Sequence, residues 1–194
     1  MDTLPKQEHT HKRFSDKLSF LLNNPIRRKF SPPERLIAKL GIEPGSTVLD
    51  FGCGPGFFLI PTARIAGKAI GADVSSRMLE QAASYAKKSR VVVELLESDG
   101  KSVKLADGSV DLIMLVHVFH EIGDKPIVLR EFYRILKPGG RLAIVEKTQA
   151  GGLPRRFGPP VVDLTRLTKQ VAEAGFAQEE TKPSGKDSIA FYRK

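Results

Sequence analysis

The run Val48-Leu49-Asp50-Phe51-Gly52-Cys53-Gly54-Pro55-Gly56 constrains the fold more than any other stretch of this chain. An apolar run that ends in an acid and then turns through three alternating glycines reads as a buried parallel strand meeting a helix. Glycines at 52, 54 and 56 clear the side chains from one face of the loop and tolerate positive φ, so a ligand can approach the backbone closely. A tight turn without a ligand would use the same residues. The competing pattern G-x-G-x-x-G, which marks dinucleotide-binding turns, requires its third glycine at position 57. That position is Phe57, so the spacing is G-x-G-x-G with an acid two residues before the first glycine.

Signals on either side of this turn alternate. Strands are expected near 46–51, 68–73, 91–97, 110–116 and 140–146, and helices near 56–66, 76–88, 124–136 and 164–174. Such alternation predicts an α/β fold, a Rossmann-like three-layer sandwich with helices on both faces of a mostly parallel sheet. The end of the chain departs from it. Phe176 to Thr181 and Ser188 to Tyr192 read as two strands joined through Pro183–Asp187, too short a link for a parallel crossover, so they pair antiparallel. Upstream, Phe14, Leu18, Leu21 and Leu22 recur at helical spacing until Asn24-Pro25 breaks the pattern. A second helix is expected from Ser31-Pro32-Pro33-Glu34, with Ser31 and Glu34 as a capping box, to the glycine stop at Gly41. Residues 1–33 are therefore expected to be an N-terminal helical segment and possible lid, and residues 34–194 one domain.

Composition narrows the classes. A chain of 194 residues, 41% apolar and 27% charged, suits one soluble domain with a sizeable core. No apolar run approaches the ~18 residues of a membrane helix, and the opening MDTLPKQEHTHKRF has no apolar leader core, so a cytoplasmic protein without membrane insertion is expected. The lone cysteine, Cys53, excludes an internal disulfide and a Cys-rich zinc site, and reads as a space-filling side chain rather than a nucleophile. The formal charge of +9 raises the question of anionic partners. Its densest clusters, Arg27-Arg28-Lys29, Lys87-Lys88 with Arg90, and Arg155-Arg156, are not interleaved with paired aromatics, which disfavours nucleic acid.

The glycine spacing with its preceding acid resembles motif I of the class I S-adenosylmethionine (SAM) dependent methyltransferases. Asp107-Gly108-Ser109-Val110-Asp111-Leu112-Ile113-Met114-Leu115 resembles that family's fourth strand, and the segment Leu136–Glu146 its turn into the fifth. The likeness covers roughly residues 34–194 and is nearest to small bacterial and archaeal members, of the methyltransferase domain 11/25 type with a UbiE-like core. Those members carry Phe-His-Glu after strand 4 and a Gly-Pro-Pro loop after strand 5. The resemblance implies seven strands in the order 3-2-1-4-5-7-6 with the seventh reversed, and SAM as cofactor. It also implies roles. Asp50 would meet the methionine amine, directly or through water, and Phe51, Gly52, Gly54 and Gly56 would admit the methionyl portion. Asp73 would accept the ribose hydroxyls, with Val74 and Met78 beside it. Asp99 would accept from the adenine amine and the Gly100 amide would donate to the ring, next to Ser98, while Val116 and His117 would line the cofactor at the end of strand 4. Each acid alone could equally be a cap or turn residue. Three acids at three successive strand ends are hard to attribute to chance.

The acceptor side is expected at Val116-His117-Val118-Phe119-His120-Glu121. His117 and His120 are three apart and could share a side if a helical turn begins there, and either histidine could act as a general base. A structural histidine is the alternative. A metal site is not expected, since the string is not H-E-x-x-H and no further ligand cluster accompanies it. Phe57, Phe58, Phe119 and Phe157 read as core before they read as a sulfonium cage. The expected function is methyl transfer from SAM to a small acceptor, with residues 14–30 and 150–160 as possible covers. The alternatives are a SAM-binding sensor or partner-activating module without catalysis, and a nucleic-acid methyltransferase, for which the N-P-P-Y type signature after strand 4 is missing.

Overall fold

Seven strands form one sheet in the order β3-β2-β1-β4-β5-β7-β6 in a computed structural model that describes Lys29, residues 31–149 and residues 160–194. The strands are β1 Thr47–Phe51, β2 Lys68–Asp73, β3 Glu94–Glu97, β4 Val110–Val116, β5 Leu136–Lys147, β6 Ala177–Ser184 and β7 Asp187–Arg193. Pairing is parallel from β3 through β5, and β7 is antiparallel to both β5 and β6. The helices are α1 Pro33–Ile37, α2 Leu59–Thr62, α3 Ser76–Ser89, α4 Lys125–Ile135 and α5 Leu164–Glu173, with a 3₁₀ turn at Phe119–Glu121. The expected helix at Phe14–Leu22, the stretches 14–30 and 150–159 as covers, Phe157, and two of the basic clusters apart from Lys29 lie outside the described residues.

Period-two alternation sorts the strands into two buried faces. Leu49, Phe51, Ile113, Leu115, Leu142, Ile144, Ala190 and Tyr192 face one core, which α4 covers with Val128, Leu129 and Phe132 and α5 with Leu167 and Val171. Val48, Met114, Val116, Ala143, Val145, Ile189 and Phe191 face the other, together with Ile37 of α1 and Leu40. Asp50 shares the face of Val48, a carboxyl set among apolar side chains at the carboxyl end of β1.

Four local expectations need correction. No side chain caps α1: Pro32, not Ser31, occupies the cap position, and the helix has only five residues. The α2 region is a single helical turn, Leu59–Thr62, flanked by looser turns, because Pro55 and Pro61 supply no N–H to a longer ladder. Residues 91–93 are not strand: α3 ends on Arg90 in the left-handed region, the Val91 amide is spent on Ala86 O at 3.1 Å, and Val92 is 92% exposed. Finally, β5 begins at Leu136, directly after α4, so Gly139 and Gly140 lie in a bulge within the strand and do not cap the helix.

Candidate functional site

Three strand ends and one glycine loop meet at the carboxyl edge of the sheet. The Gly52 and Cys53 amides donate to Ala72 O at 2.8 and 3.1 Å, which ties the loop to the end of β2. Gly52 has φ +75°, and a Cβ there would lie 2.6 Å from Val118 Cγ2, so only glycine lets the Val116–Glu121 segment pack against the loop. A Cβ on Gly54, by contrast, would meet nothing within 4 Å. The Gly54 amide donates to Asp73 Oδ2 at 2.8 Å and the Ser75 amide to Asp73 Oδ1 at 3.0 Å. Asp73 therefore bridges the glycine loop and the start of α3.

Asp50 is 2% exposed, and its Oδ2 makes no hydrogen bond. Burial, reinforced by the Asp73 charge, pushes its pKa up to about 8. A polar atom buried without a partner is costly, so a group that completes it at the loop would be favoured. Cys53 lies in the same pocket with its thiol pKa raised, first by burial and then by the charges of Asp50 and Asp73. A thiol held in its neutral form is a space filler.

After β3, Ser98 Oγ donates to Ser102 O at 2.7 Å and accepts the Gly100 amide at 3.0 Å. The Gly100 amide, expected to face an adenine ring, is committed to Ser98. Asp99 Oδ1 takes the amides of Lys101 and Ser102, both at 2.8 Å, and these bonds hold its carboxyl below the usual range. Val74 is a large apolar side chain left exposed, 3.2 Å from where a Gly100 Cβ would stand, while Met78 below it is buried.

Val116 is buried, and beyond it the chain turns sharply. His117 has φ +59° while its amide still donates to Val145 O at 2.9 Å. A left-handed non-glycine residue carries strain that the surroundings must hold in place. The turn brings both imidazoles onto one carboxylate, Glu146, which is fully buried. His120 Nδ1 lies 2.9 Å from Glu146 Oε2, and the His120 amide donates to Oε1 at 3.2 Å. His117 Nδ1, buried and without a hydrogen bond, is 4.0 Å from the same Oε2, and His117 Nε2 is 3.4 Å from Asp187 Oδ2. Burial pulls the His120 pKa down, but the Glu146 bond and charge, with the Glu121 charge, outweigh it and leave it raised. Glu121 is raised by burial and by the charges of Glu146 and Asp73, which places it within electrical reach of both the histidine cluster and the β2 end. Phe57 and Phe119 are buried in the core.

Glu146 and Asp187 were not legible as site residues. Glu146 repeats a signal already used for Asp50 and Asp73, an acid ending a buried strand, whereas Asp187 in the β6–β7 hairpin carries no such signal. A separate cavity of about 660 Å³ lies at the amino edge of the sheet. Four of its lining charges are already paired, Lys137 with Asp111 at 2.8 Å and Arg141 with Glu179 at 2.8 Å.

Residues 49–144 match the family described as a methyltransferase domain. The chain carries a class I SAM-dependent methyltransferase domain. A SAM-dependent methyltransferase from Aquifex aeolicus superposes with a TM-score of 0.82 at 28% identity, over 93% of this chain and 98% of that one. The demethylmenaquinone methyltransferase of Lactococcus lactis subsp. lactis is 32% identical over 58% of this chain and 46% of its own length. Phosphoethanolamine N-methyltransferase 1 of Triticum aestivum is 28% identical over 76% of this chain and 31% of its own. The chain thus spans 31% and 46% of the length of these two curated relatives. The methyltransferase fold accounts for the parallel sheet with its one reversed strand, and SAM is the cofactor of such domains.

The residues present fit that cofactor. SAM is cationic at its sulfonium and ammonium, and the edge that would receive it holds Asp50, Asp73 and Glu121 on a chain of net charge +9. The unpartnered Asp50 Oδ2 suits a cation, whose approach would favour the ionised carboxyl that burial disfavours.

Proposed function

We propose that this chain transfers the methyl group of SAM to a small acceptor. The observation that carries the reading is the buried carboxyl of Asp50, whose Oδ2 makes no hydrogen bond, beside a glycine loop that Asp73 ties to the neighbouring strand. In this reading Asp50 holds the methionine amine, with Phe51, Gly52, Gly54 and Gly56 shaping the loop around the methionyl portion. Asp73 accepts the ribose hydroxyls, Val74 and Met78 flank the adenine, and Ser98, Asp99 and Gly100 line its edge. The Gly100 amide does so through Ser98, since it donates there. Val116 and His117 border the cofactor from β4. The bound cofactor supplies an already activated methyl group, so the protein's main contribution is to fix a nucleophile ~3–3.5 Å from it, worth roughly 7–11 kcal/mol.

His120 is the base of this reading for an acceptor that must lose a proton. It is half-buried, oriented by a carboxylate, and carried on a turn packed against the glycine loop. Residues 14–30 and 150–160 are its candidate covers, and the similarity to two relatives named for small substrates favours a small acceptor. Release of S-adenosylhomocysteine from SAM in the presence of small alcohols, phenols, thiols and amines tests the reading. Turnover should appear with at least one class, and His120→Ala should cut it by ~10²–10⁴-fold while SAM affinity stays near wild type. SAM binding without turnover on any class would identify a cofactor-binding module instead. A fully active, stable His120→Ala protein would remove the base and leave catalysis to positioning.

A further inference from the structure

We propose that Glu146 is the positioning residue that makes His120 a proton acceptor, and that the acceptor substrate is therefore one whose attacking atom carries a proton to lose near neutral pH, a hydroxyl or an ammonium, rather than a thiolate. The inference rests on the methyl-transfer reading above. Both oxygens of Glu146 are spent on one residue: Oε1 takes the His120 amide at 3.2 Å and Oε2 stands 2.9 Å from His120 Nδ1. A carboxylate only accepts, so the ring donates through Nδ1 and the neutral imidazole carries its lone pair on Nε2. Nε2 lies on the Glu121 side, 3.8 Å from Glu121 Oε1.

A buried carboxylate is an expensive way to orient a ring that has only to fill space, because a backbone carbonyl could do the same without a charge to desolvate. The arrangement makes physical sense where the ring must become a cation, which Glu146 then stabilises at contact distance. The charged and titratable groups facing His120 are Glu146 from β5, Glu121 from its own turn, Lys125 from α4, and His117 after β4, itself held by Asp187 of β7. Glu146 and Glu121 favour the cation and Lys125 opposes it.

The need for a base selects the acceptor. A thiol ionises readily near neutrality, whereas a phenol with a pKa of about 10 is almost wholly protonated there, and so is an alkylamine, whose ammonium form has no lone pair to attack with. The balanced step sends the hydroxyl or ammonium proton to His120 Nε2 while the oxygen or nitrogen forms the new bond to the methyl carbon. The electron pair of the breaking sulfur–carbon bond stays on sulfur, and the imidazolium is left against Glu146.

The test uses the full chain and the variants Glu146→Gln and Glu146→Asp. Nitrogen-15 NMR of the imidazoles, without any cofactor, should show neutral His120 protonated on Nδ1. Its titration midpoint should fall in Glu146→Gln and be restored toward wild type in Glu146→Asp, a readout that loss of packing alone would not produce. In the presence of SAM, phenol, catechol and ethylamine as a set should give more S-adenosylhomocysteine than thiophenol, which is ionised near neutrality and needs no base. Glu146→Gln should cut that turnover by ~10²–10⁴-fold and move the acid limb of the kcat/KM profile, with the SAM Kd changed less than about twofold. A wild-type His120 protonated on Nε2, or a midpoint unmoved in Glu146→Gln, would overturn the positioning role even if a variant folds poorly. Thiophenol turned over as well as that set, or no turnover of the set, would overturn the acceptor assignment. Absence of SAM binding in wild type would overturn the methyl-transfer reading, and calorimetry alone tells that apart.

Discussion

In the proposed site, two carboxyl groups one strand apart would divide the work at the cofactor edge. Asp73 is stitched into the backbone through the amides of Gly54 and Ser75, so it serves the loop as well as any ligand. Asp73→Ala should weaken SAM by roughly 10–150-fold, the value of a hydrogen bond to a charged group. Because two backbone N–H groups lose their acceptor, the same change should lower stability by about 1–2 kcal/mol. Calorimetric titration and denaturant unfolding of the one variant check both, and an unchanged SAM Kd in the folded variant would contradict the ribose role. Asp50 behaves differently because nothing satisfies its Oδ2. Its pKa of about 8 in the folded chain lies far above the ordinary value of 3.8, so the folded state binds this proton more tightly than the unfolded one. The sign follows: Asp50 costs nothing at low pH and lowers stability progressively as pH rises from about 4 to 8. Asp50→Asn should therefore gain stability over wild type on going from pH 4 to pH 8, as read by thermal unfolding. A difference that does not vary with pH would contradict this.

The glycine loop and the turn after β4 act as one element. Gly52→Ala should destabilise the protein by about 1–3 kcal/mol, since φ +75° is strained for alanine and its Cβ would overlap the Val118 methyls. It should also weaken SAM, by pushing the histidine turn off the loop, and both effects are measurable by unfolding and titration. A variant as stable as wild type would show that the loop and turn are not in register. At this scale the sequence was most legible where a pattern repeats. Near-continuous apolar runs at 48–51, 112–116 and 189–192 marked buried strands, and the short link at 183–187 made the last two strands antiparallel. Local punctuation was less legible. Val91–Val93 has strand composition, yet the end of α3 takes the Val91 amide. Gly139-Gly140 looks like a helix stop but bulges inside β5, because Leu136 already pairs with Val110. At the site, acids ending β1 and β2 announced themselves by spacing. The convergence of His117 and His120 on Glu146 depended on a left-handed φ at His117, which no periodicity signals.

At the scale of the whole molecule, a chain of net charge +9 keeps its carboxyl edge acidic. Asp50, Asp73 and Glu121 border the glycine loop, and Glu146 and Asp187 hold the histidines behind it. That polarity selects a cationic ligand over a pyrophosphate, just as the spacing at Phe57 departs from the dinucleotide pattern. It also couples binding to proton release, because a cation placed at Asp50 lowers a pKa that burial has raised. The most direct test is calorimetric titration of the full chain with SAM and with NAD near pH 7, repeated in two buffers of different ionisation enthalpy. SAM should bind at one site with a proton released to buffer, and NAD should give no heat. Binding of NAD with no SAM signal, or SAM binding with no dependence on the buffer, would contradict the account of this site.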